Sequence, residues 1–227
     1  MSFTDADKED VINRYTERFK DFGYSPKSLG WTKGKQGLRY DILSSQWDMK
    51  DSRVLDLGCG FADLYNHLEQ KFGIKEYYGV ELVPALYEEA IERHSANDKV
   101  QIFQENVLDI DAEKLIGEID YVLISGLFNF KLKENNNYNF IEEVLQKYIK
   151  IAKKGIAADF LSNKVDYEYE YTFHNDPAKI LDIAYKISRN IVLRNDYFPF
   201  EFSVFINKND AFDKTDTIFN SFKEKVS

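Results

Sequence analysis

The sequence predicts a three-layer α/β sandwich: a seven-stranded, mostly parallel sheet with an antiparallel last strand, preceded by an N-terminal helical extension. Three observations predict it. From residue 53 onward, short apolar runs alternate with stretches of 3.6-residue periodicity. The run at 119–125 is almost continuously apolar, as a strand covered on both faces must be. Only six residues separate the runs at 190–194 and 201–206, too few for a helical crossover, so those two strands pair antiparallel.

The elements follow in order. Val11, Ile12, Tyr15, Phe19 and Phe22 share one face of a helix over 5–22, with Thr4 and Asp7 placed for a capping box and Gly23 as its stop. Residues 24–37 carry three glycines and a proline and form a loop. A short helix at about 38–47 carries Leu38, Ile42, Leu43 and Trp47. Strands follow at 53–57, 77–82, 100–103, 119–125 and 155–160. Helices fall at 61–72, from Pro84 on, at 138–153, and from Asp176-Pro177 through Ile187. Proline is well placed in a first helical turn, where its missing N–H costs nothing. These elements divide the chain into a helical cap over 1–50, a core domain over 51–207 and a tail over 208–227. The tail is weakly amphipathic through Phe212, Ile218, Phe219 and Phe222 and reads either as a docked helix or as a loose end.

Composition narrows the function. The chain has 227 residues, 44% of them hydrophobic and 30% charged, which is ordinary globular usage. Thirty basic residues against thirty-nine acidic ones give a net charge of −9, the wrong sign for a general nucleic-acid or anionic-membrane binder. Cys59 is the single cysteine, so neither an intramolecular disulfide nor a cysteine metal cluster is expected, and no metal is. The acidic N-terminus has no apolar leader, and no apolar run approaches membrane-spanning length, so a cytoplasmic location is expected.

In an open parallel sheet, ligands sit beyond the carboxyl ends of the strands. There the first strand ends Asp56-Leu57-Gly58-Cys59-Gly60, and the second ends Gly79-Val80-Glu81. The two glycines permit a tight turn and close backbone approach, and the next helix presents free N–H groups. A carboxylate 23 residues after Gly58 suits a ribose diol. The dinucleotide fingerprint wants a small residue where Asp63 stands. A carboxylate there repels a pyrophosphate, and Asp56 adds a second negative charge. A ribose-bearing ligand with a cationic centre fits better than NAD.

Val54–Asp63 resembles motif I of class I S-adenosylmethionine-dependent methyltransferases, and Tyr78-Gly79-Val80-Glu81-Leu82 resembles motif II. Gln104–Leu108 and Asp120–Ser125 are similar to the third and fourth motifs, so the likeness spans about 50–207 and implies a Rossmann-like sheet. It implies S-adenosylmethionine as cofactor and S-adenosylhomocysteine (SAH) as product. Gly58, Cys59 and Gly60 would lie along the methionine part, with Asp56 at its ammonium. Glu81 would take the ribose, Leu82 the adenine face, and Asn106 and Val107 the adenine edge. Ser125 and Gly126 would close the floor by the methyl group. Alanine 62 stands where the family has a third glycine, and Asn106 where it has an aspartate.

More loosely, Phe22–Pro26, Gly30-Trp31, Ser125–Asn129 and Leu193–Tyr197 resemble small bacterial methyltransferases of capsule and surface-polysaccharide clusters. That likeness implies a small-molecule acceptor such as a polysaccharide precursor, and a monomer or homodimer.

An oxygen or ammonium acceptor needs its proton removed. Two residues are candidate bases. His174 ends a tyrosine-rich insertion, Tyr167–His174, that reads as a lid. Asp159 ends the fifth strand and reads equally as a cap. Arg39, beside the basic loop Lys33–Gly37, is a candidate for the cofactor's carboxylate. Tyr24, Trp31, Asn129 and Arg194 are candidate substrate contacts, Arg194 alternatively pairing with Asp196. Motif four reads Ser-Gly-Leu-Phe rather than the Asn/Asp-Pro-Pro-Tyr of enzymes that methylate nucleic acids and protein amides. Two other functional classes stay open: a nucleotide-dependent oxidoreductase, and a non-catalytic binding protein on the same fold.

Overall fold

The computed structural model describes residues 2–31, 35–215 and 217–226. Helix α1 (Asp5–Phe22) and α2 (Gln36–Leu43) precede the alternating core. That core runs β1 (Arg53–Leu57), α3 (Asp63–Phe72), β2 (Glu76–Glu81), α4 (Pro84–His94), β3 (Val100–Gln104), α5 (Ala112–Ile116) and β4 (Ile119–Ile124). It continues through α6 (Asn137–Ile151), β5 (Ala152–Leu161), α7 (Pro177–Tyr185), β6 (Ile191–Arg194) and β7 (Glu201–Asn207), and α8 (Asn220–Val226) follows. The sheet order is β3-β2-β1-β4-β5-β7-β6, and β7 is antiparallel to both its neighbours.

The strand pleat sorts the core into two layers. Leu55, Leu57, Val122, Ile124, Ile156 and Ala158 face α6 and α7, where Ile141, Val144, Tyr148 and Ile180 meet them. Val54, Tyr121, Leu123, Ala157 and Phe205 face the other way, against Leu43 of α2, Leu64 and Leu68 of α3 and Ala90 of α4. Asp56 lies between Leu55 and Leu57 on the strand, so its side chain falls on this second face at the end of β1.

The capping box at Thr4 forms as expected. Thr4 Oγ1 accepts the Asp7 N–H at 3.2 Å, and the Asp7 carboxylate accepts the Thr4 N–H at 3.0 Å. Such a cap contributes about 1 kcal/mol. The same carboxylate takes the Lys133 N–H at 2.8 Å, and Phe3 stacks on Phe140 with ring centroids 5.1 Å apart. The start of α1 is thereby tied to α6 and the segment before it. Farther along, Val11, Tyr15 and Phe19 pack on Phe61, Val83 and Leu86, so α1 crosses the carboxyl ends of β1 and β2.

Several boundaries differ from the sequence reading. Helix α2 stops at Leu43 rather than 47, because Ser44 and Ser45 hydroxyls bond back to the Tyr40 and Ile42 carbonyls, each at 2.7 Å. Trp47 instead packs on Tyr121 and Phe205, and its indole N–H donates to Asn207 at 2.9 Å. Helix α3 begins at Asp63, with Phe61 and Ala62 left in the turn. Helix α7 ends at Tyr185, before Ile187, and β5 begins at Ala152 directly off α6. The tail carries a helix, α8, and a bridge between Phe212 and Phe219. Among the described residues no helix is long and apolar enough to cross a membrane.

Candidate active site

A cavity of about 420 Å³ opens at the carboxyl end of the sheet, within the usual size range of small-molecule sites. Its floor is the β1 turn, the ends of β2 and β4, and the segment after β3. Its roof is α1, and its far wall is the 162–175 insertion.

The floor is built by backbone bonding. Gly58 and Cys59 N–H groups both donate to the Val80 carbonyl, at 2.8 and 3.1 Å, folding the turn back on β2. Gly58 and Gly60 have φ of +72° and +57°. A Cβ on Gly60 would lie 3.0 Å from Leu29, and one on Gly58 3.2 Å from Leu127, so both positions favour glycine for conformation and leave a side chain little room. Ala62, in the family's third-glycine position, also sits left-handed at φ 59°, ψ 27°. Alanine there bears backbone strain of about 1 kcal/mol as well as an added methyl.

Glu81 is buried, and its two oxygens accept N–H groups of Gly60 and Val83, each at 2.8 Å. Burial pushes its carboxyl up, while those two bonds pull it down. Each oxygen keeps a second acceptor site. Asp56 accepts the Tyr77 hydroxyl at 2.6 Å, and its carboxyl is pushed up to about 7, chiefly by burial. Asn106 holds the segment after β3, its carbonyl taking the Leu108 N–H at 3.1 Å and its amide donating to Asp109 at 2.9 Å. The Tyr148 hydroxyl donates to the Val107 carbonyl at 2.7 Å. Cys59 is buried beneath Gly79, and burial raises its thiol well above the usual range.

At the other end, Gly126 has φ +79°, and a Cβ there would sit 2.7 Å from the Trp31 ring. The insertion is laced to the segment after β4. The Phe173 N–H donates to the Asn129 carbonyl at 2.9 Å, and Asn129 Oδ1 accepts the Leu161 N–H at 2.8 Å. His174 Nδ1 lies 2.8 Å from the Ser162 carbonyl, which can only accept. Nδ1–H therefore donates to that carbonyl, and Nε2 lies 3.1 Å from the Thr172 hydroxyl. Tyr169 stacks on Tyr171, and the Arg14 guanidinium of α1 lies 3.7 Å over the Tyr171 ring, clasping roof to wall.

Asp56, Gly58, Cys59, Gly60, Glu81, Leu82, Asn106, Val107, Ser125 and Gly126 all line this one cavity, as do Trp31, Asn129, Arg39 and His174. Three expectations are corrected, and a fourth, Arg194, resolves to one of its two alternatives, the pair with Asp196. Asp159 does not line the cavity. It is buried and takes the Ser125 hydroxyl at 2.7 Å and the Gly126 N–H at 2.8 Å, so it holds the floor turn instead of meeting a substrate. Burial raises its carboxyl to about 6. Arg39 spends its fork on Glu201, with Nε to Oε2 at 2.7 Å and Nη2 to Oε1, while sandwiched between Trp31 and Phe198. That leaves it a support for the wall rather than a free carboxylate receptor. Tyr24 is exposed and donates to Asp63 at 2.7 Å outside the cavity, under the Arg93 guanidinium. Arg194 binds Asp196 and Ser45 on the surface. Asp63 is thus turned away from the ligand space, and the acidity of the floor is carried by Asp56 and Glu81. Of the basic loop, Lys33 and Gly34 lie outside the described residues, while Lys35 lines the cavity. Glu201 and Tyr15 were missed. Tyr15 was visible only as one member of a helical apolar face, and nothing local marks Glu201.

The floor's glycine cradle, the buried acceptors on β1 and β2 and the absence of a basic phosphate grip on that floor among the described residues fit an adenosyl ligand with a cationic amino-acid end. Residues 54–150 match the family described as a methyltransferase domain. That segment is a methyltransferase domain, and the match supports a class I S-adenosylmethionine-dependent methyltransferase. It is 25% identical over 160 residues to Rv1506c of Mycobacterium tuberculosis, which bears the name of a methyltransferase; the match covers 68% of this chain and 92% of that one. The same fold is found in magnesium protoporphyrin IX methyltransferase (ChlM) from Synechocystis PCC 6803, solved with bound SAH. The TM-score is 0.62 at 11% identity, over 88% of this chain and 98% of that one. DhpI, solved as its SAH complex, shares it at a TM-score of 0.61 and 13% identity, over 87% and 93%.

Proposed function

We propose that the protein transfers a methyl group from S-adenosylmethionine to an oxygen or nitrogen of a small polar metabolite, a capsule or surface-polysaccharide precursor being the acceptor class its loop sequences suggest. The observation that carries the reading is that one cavity of about 420 Å³, roofed by α1, joins the acidic floor to the His174 wall. When bound, the cofactor supplies a methyl group already activated on a sulfonium, so the protein's part is alignment and proton removal. Asp56 would hold the ammonium, Glu81 would accept from the ribose hydroxyls, and Asn106 and Val107 would take the adenine edge. The Ser125-Gly126 turn, braced by Asp159, sets the floor where the acceptor enters. His174, its ring oriented by the Nδ1–H bond to the Ser162 carbonyl, is the base that takes the acceptor's proton. The tyrosine wall and α1 keep water out.

The test is SAH release from S-adenosylmethionine with panels of sugars, sugar phosphates, nucleotide sugars and amines, against a protein and an RNA extract. Turnover with a small acceptor supports the reading, and turnover with the macromolecular extracts alone refutes it. With the acceptor in hand, His174→Ala is expected to lower kcat by about 10²-fold or more with SAH binding unchanged. An unchanged kcat removes His174 from the mechanism.

A further inference from the structure

Glu81 offers the ribose hydroxyls an acceptor but no donor. An ionised Glu81 can only accept, so a ribose diol bound to it spends its O–H protons there and leaves its oxygen lone pairs needing a donor. On the floor, the Gly60 and Val83 N–H groups are already committed to Glu81.

The roof supplies a candidate. Tyr15 of α1 packs on Phe61, Val83 and Leu86. Phe61 directly follows Gly60, and Val83 lies two residues beyond Glu81, so the ring is seated on the residues that continue from the two cofactor turns. Tyr15 lines the cavity together with Glu81, Gly60 and Leu82. Among the described residues its hydroxyl makes no hydrogen bond, unlike the buried phenols of Tyr77 and Tyr148. Burial pushes the pKa of its phenol up, and the Glu81 charge adds to the rise while Arg14 and Arg18 oppose it, so the phenol stays protonated and the carboxylate is close enough to be felt. Its neighbour Arg14 is clasped on Tyr171, which pins this turn of α1 over the cavity.

We infer that Tyr15 is a cofactor-contacting residue: its hydroxyl, held across the cavity from Glu81, donates to the nucleoside's ribose oxygens. The N-terminal helix is then part of the cofactor site and not only a cover for the acceptor. This rests on the methyltransferase reading of the floor. A phenol paired with Glu81 reads the diol from both sides, one group accepting and the other donating.

The test is calorimetric titration of the full chain and of Tyr15→Phe with SAH and with 5′-methylthioadenosine, which keeps the ribose and lacks the amino-acid end. The Phe variant retains the ring that packs on Phe61, and its melting temperature without ligand is the control. Expected is an unchanged melting temperature with about five- to tenfold weaker binding of both ligands, the size of one neutral hydrogen bond. Unchanged affinity for both overturns the inference. So does a loss for SAH alone, which would put the hydroxyl at the amino-acid end. A loss accompanied by a fall in ligand-free melting temperature would make Tyr15 structural and overturn it too. If the unmodified chain binds neither ligand, the cofactor reading itself fails, and that result is distinct from every other.

Discussion

At the scale of single residues, Asp56 links the site to pH. Burial holds its carboxyl at about 7, with the Tyr77 hydrogen bond opposing the rise and the Glu81 and Asp159 charges adding to it. The folded value lies above the ordinary 3.8, so the folded chain keeps a proton that the unfolded chain releases. The resulting stability is full below about pH 4 and is lost as pH rises to about 7. Ligand binding runs the other way, because a cationic ligand end requires the ionised form. SAH affinity is expected to rise about tenfold between pH 6 and pH 8 and to level above that. In Asp56→Asn, affinity is expected to be weaker and nearly flat with pH, as titration at three pH values would show. Gly126 is the other sensitive position. Its φ of +79° and the 2.7 Å approach of the Trp31 ring leave no place for a methyl. Gly126→Ala is expected to lose about 1–3 kcal/mol in urea unfolding and to shift Trp31 fluorescence as the ring is pushed aside.

At the scale of elements, the Arg39–Glu201 pair joins α2 to the start of β7 across 162 residues of sequence. Both side chains are nearly buried, 9% and 12% exposed. Removing one partner strands the other charge, so Arg39→Met is expected to cost about 3 kcal/mol, roughly 6–12 °C in Tm. Replacing both, as in Arg39→Met with Glu201→Leu, is expected to recover most of that loss, because the desolvation cost goes with the pair. Thermal unfolding of the two variants measures it, and equal losses would show that the pair's charges are not what joins these elements. The clasp between Arg14 and Tyr171 is the corresponding link between roof and wall.

At the scale of the whole molecule, what the sequence revealed and what it hid divide along a physical line. The glycine turn, Glu81 and the strand ends were legible because turn chemistry and strand periodicity act within a few residues. The antiparallel β7 was legible because a six-residue connection excludes a crossover. Glu201 was invisible because its partner lies on another element, and its own neighbours say nothing of Arg39. Tyr24 was misplaced for the same reason. It lies near the site, but Asp63, 39 residues away, draws it outward, whereas the Arg194–Asp196 pair is local and was one of the two readings the sequence offered. Helix α5, five residues long, is too short to display a period. The third-glycine position taught a different lesson: Ala62 differs from glycine by one methyl in the sequence, but the structure adds a left-handed backbone.

The central claim is that this cavity binds S-adenosylmethionine through its acidic floor. The most direct test is thermal unfolding with S-adenosylmethionine, SAH, NAD and NADP in parallel. Ligand at 100 times its Kd stabilises by about 2.7 kcal/mol, roughly 5–10 °C for a chain of this size. A rise of that order with the two adenosyl ligands and none with the dinucleotides is the predicted result. A rise with the dinucleotides alone would contradict the account and place a phosphate-binding oxidoreductase on this sheet.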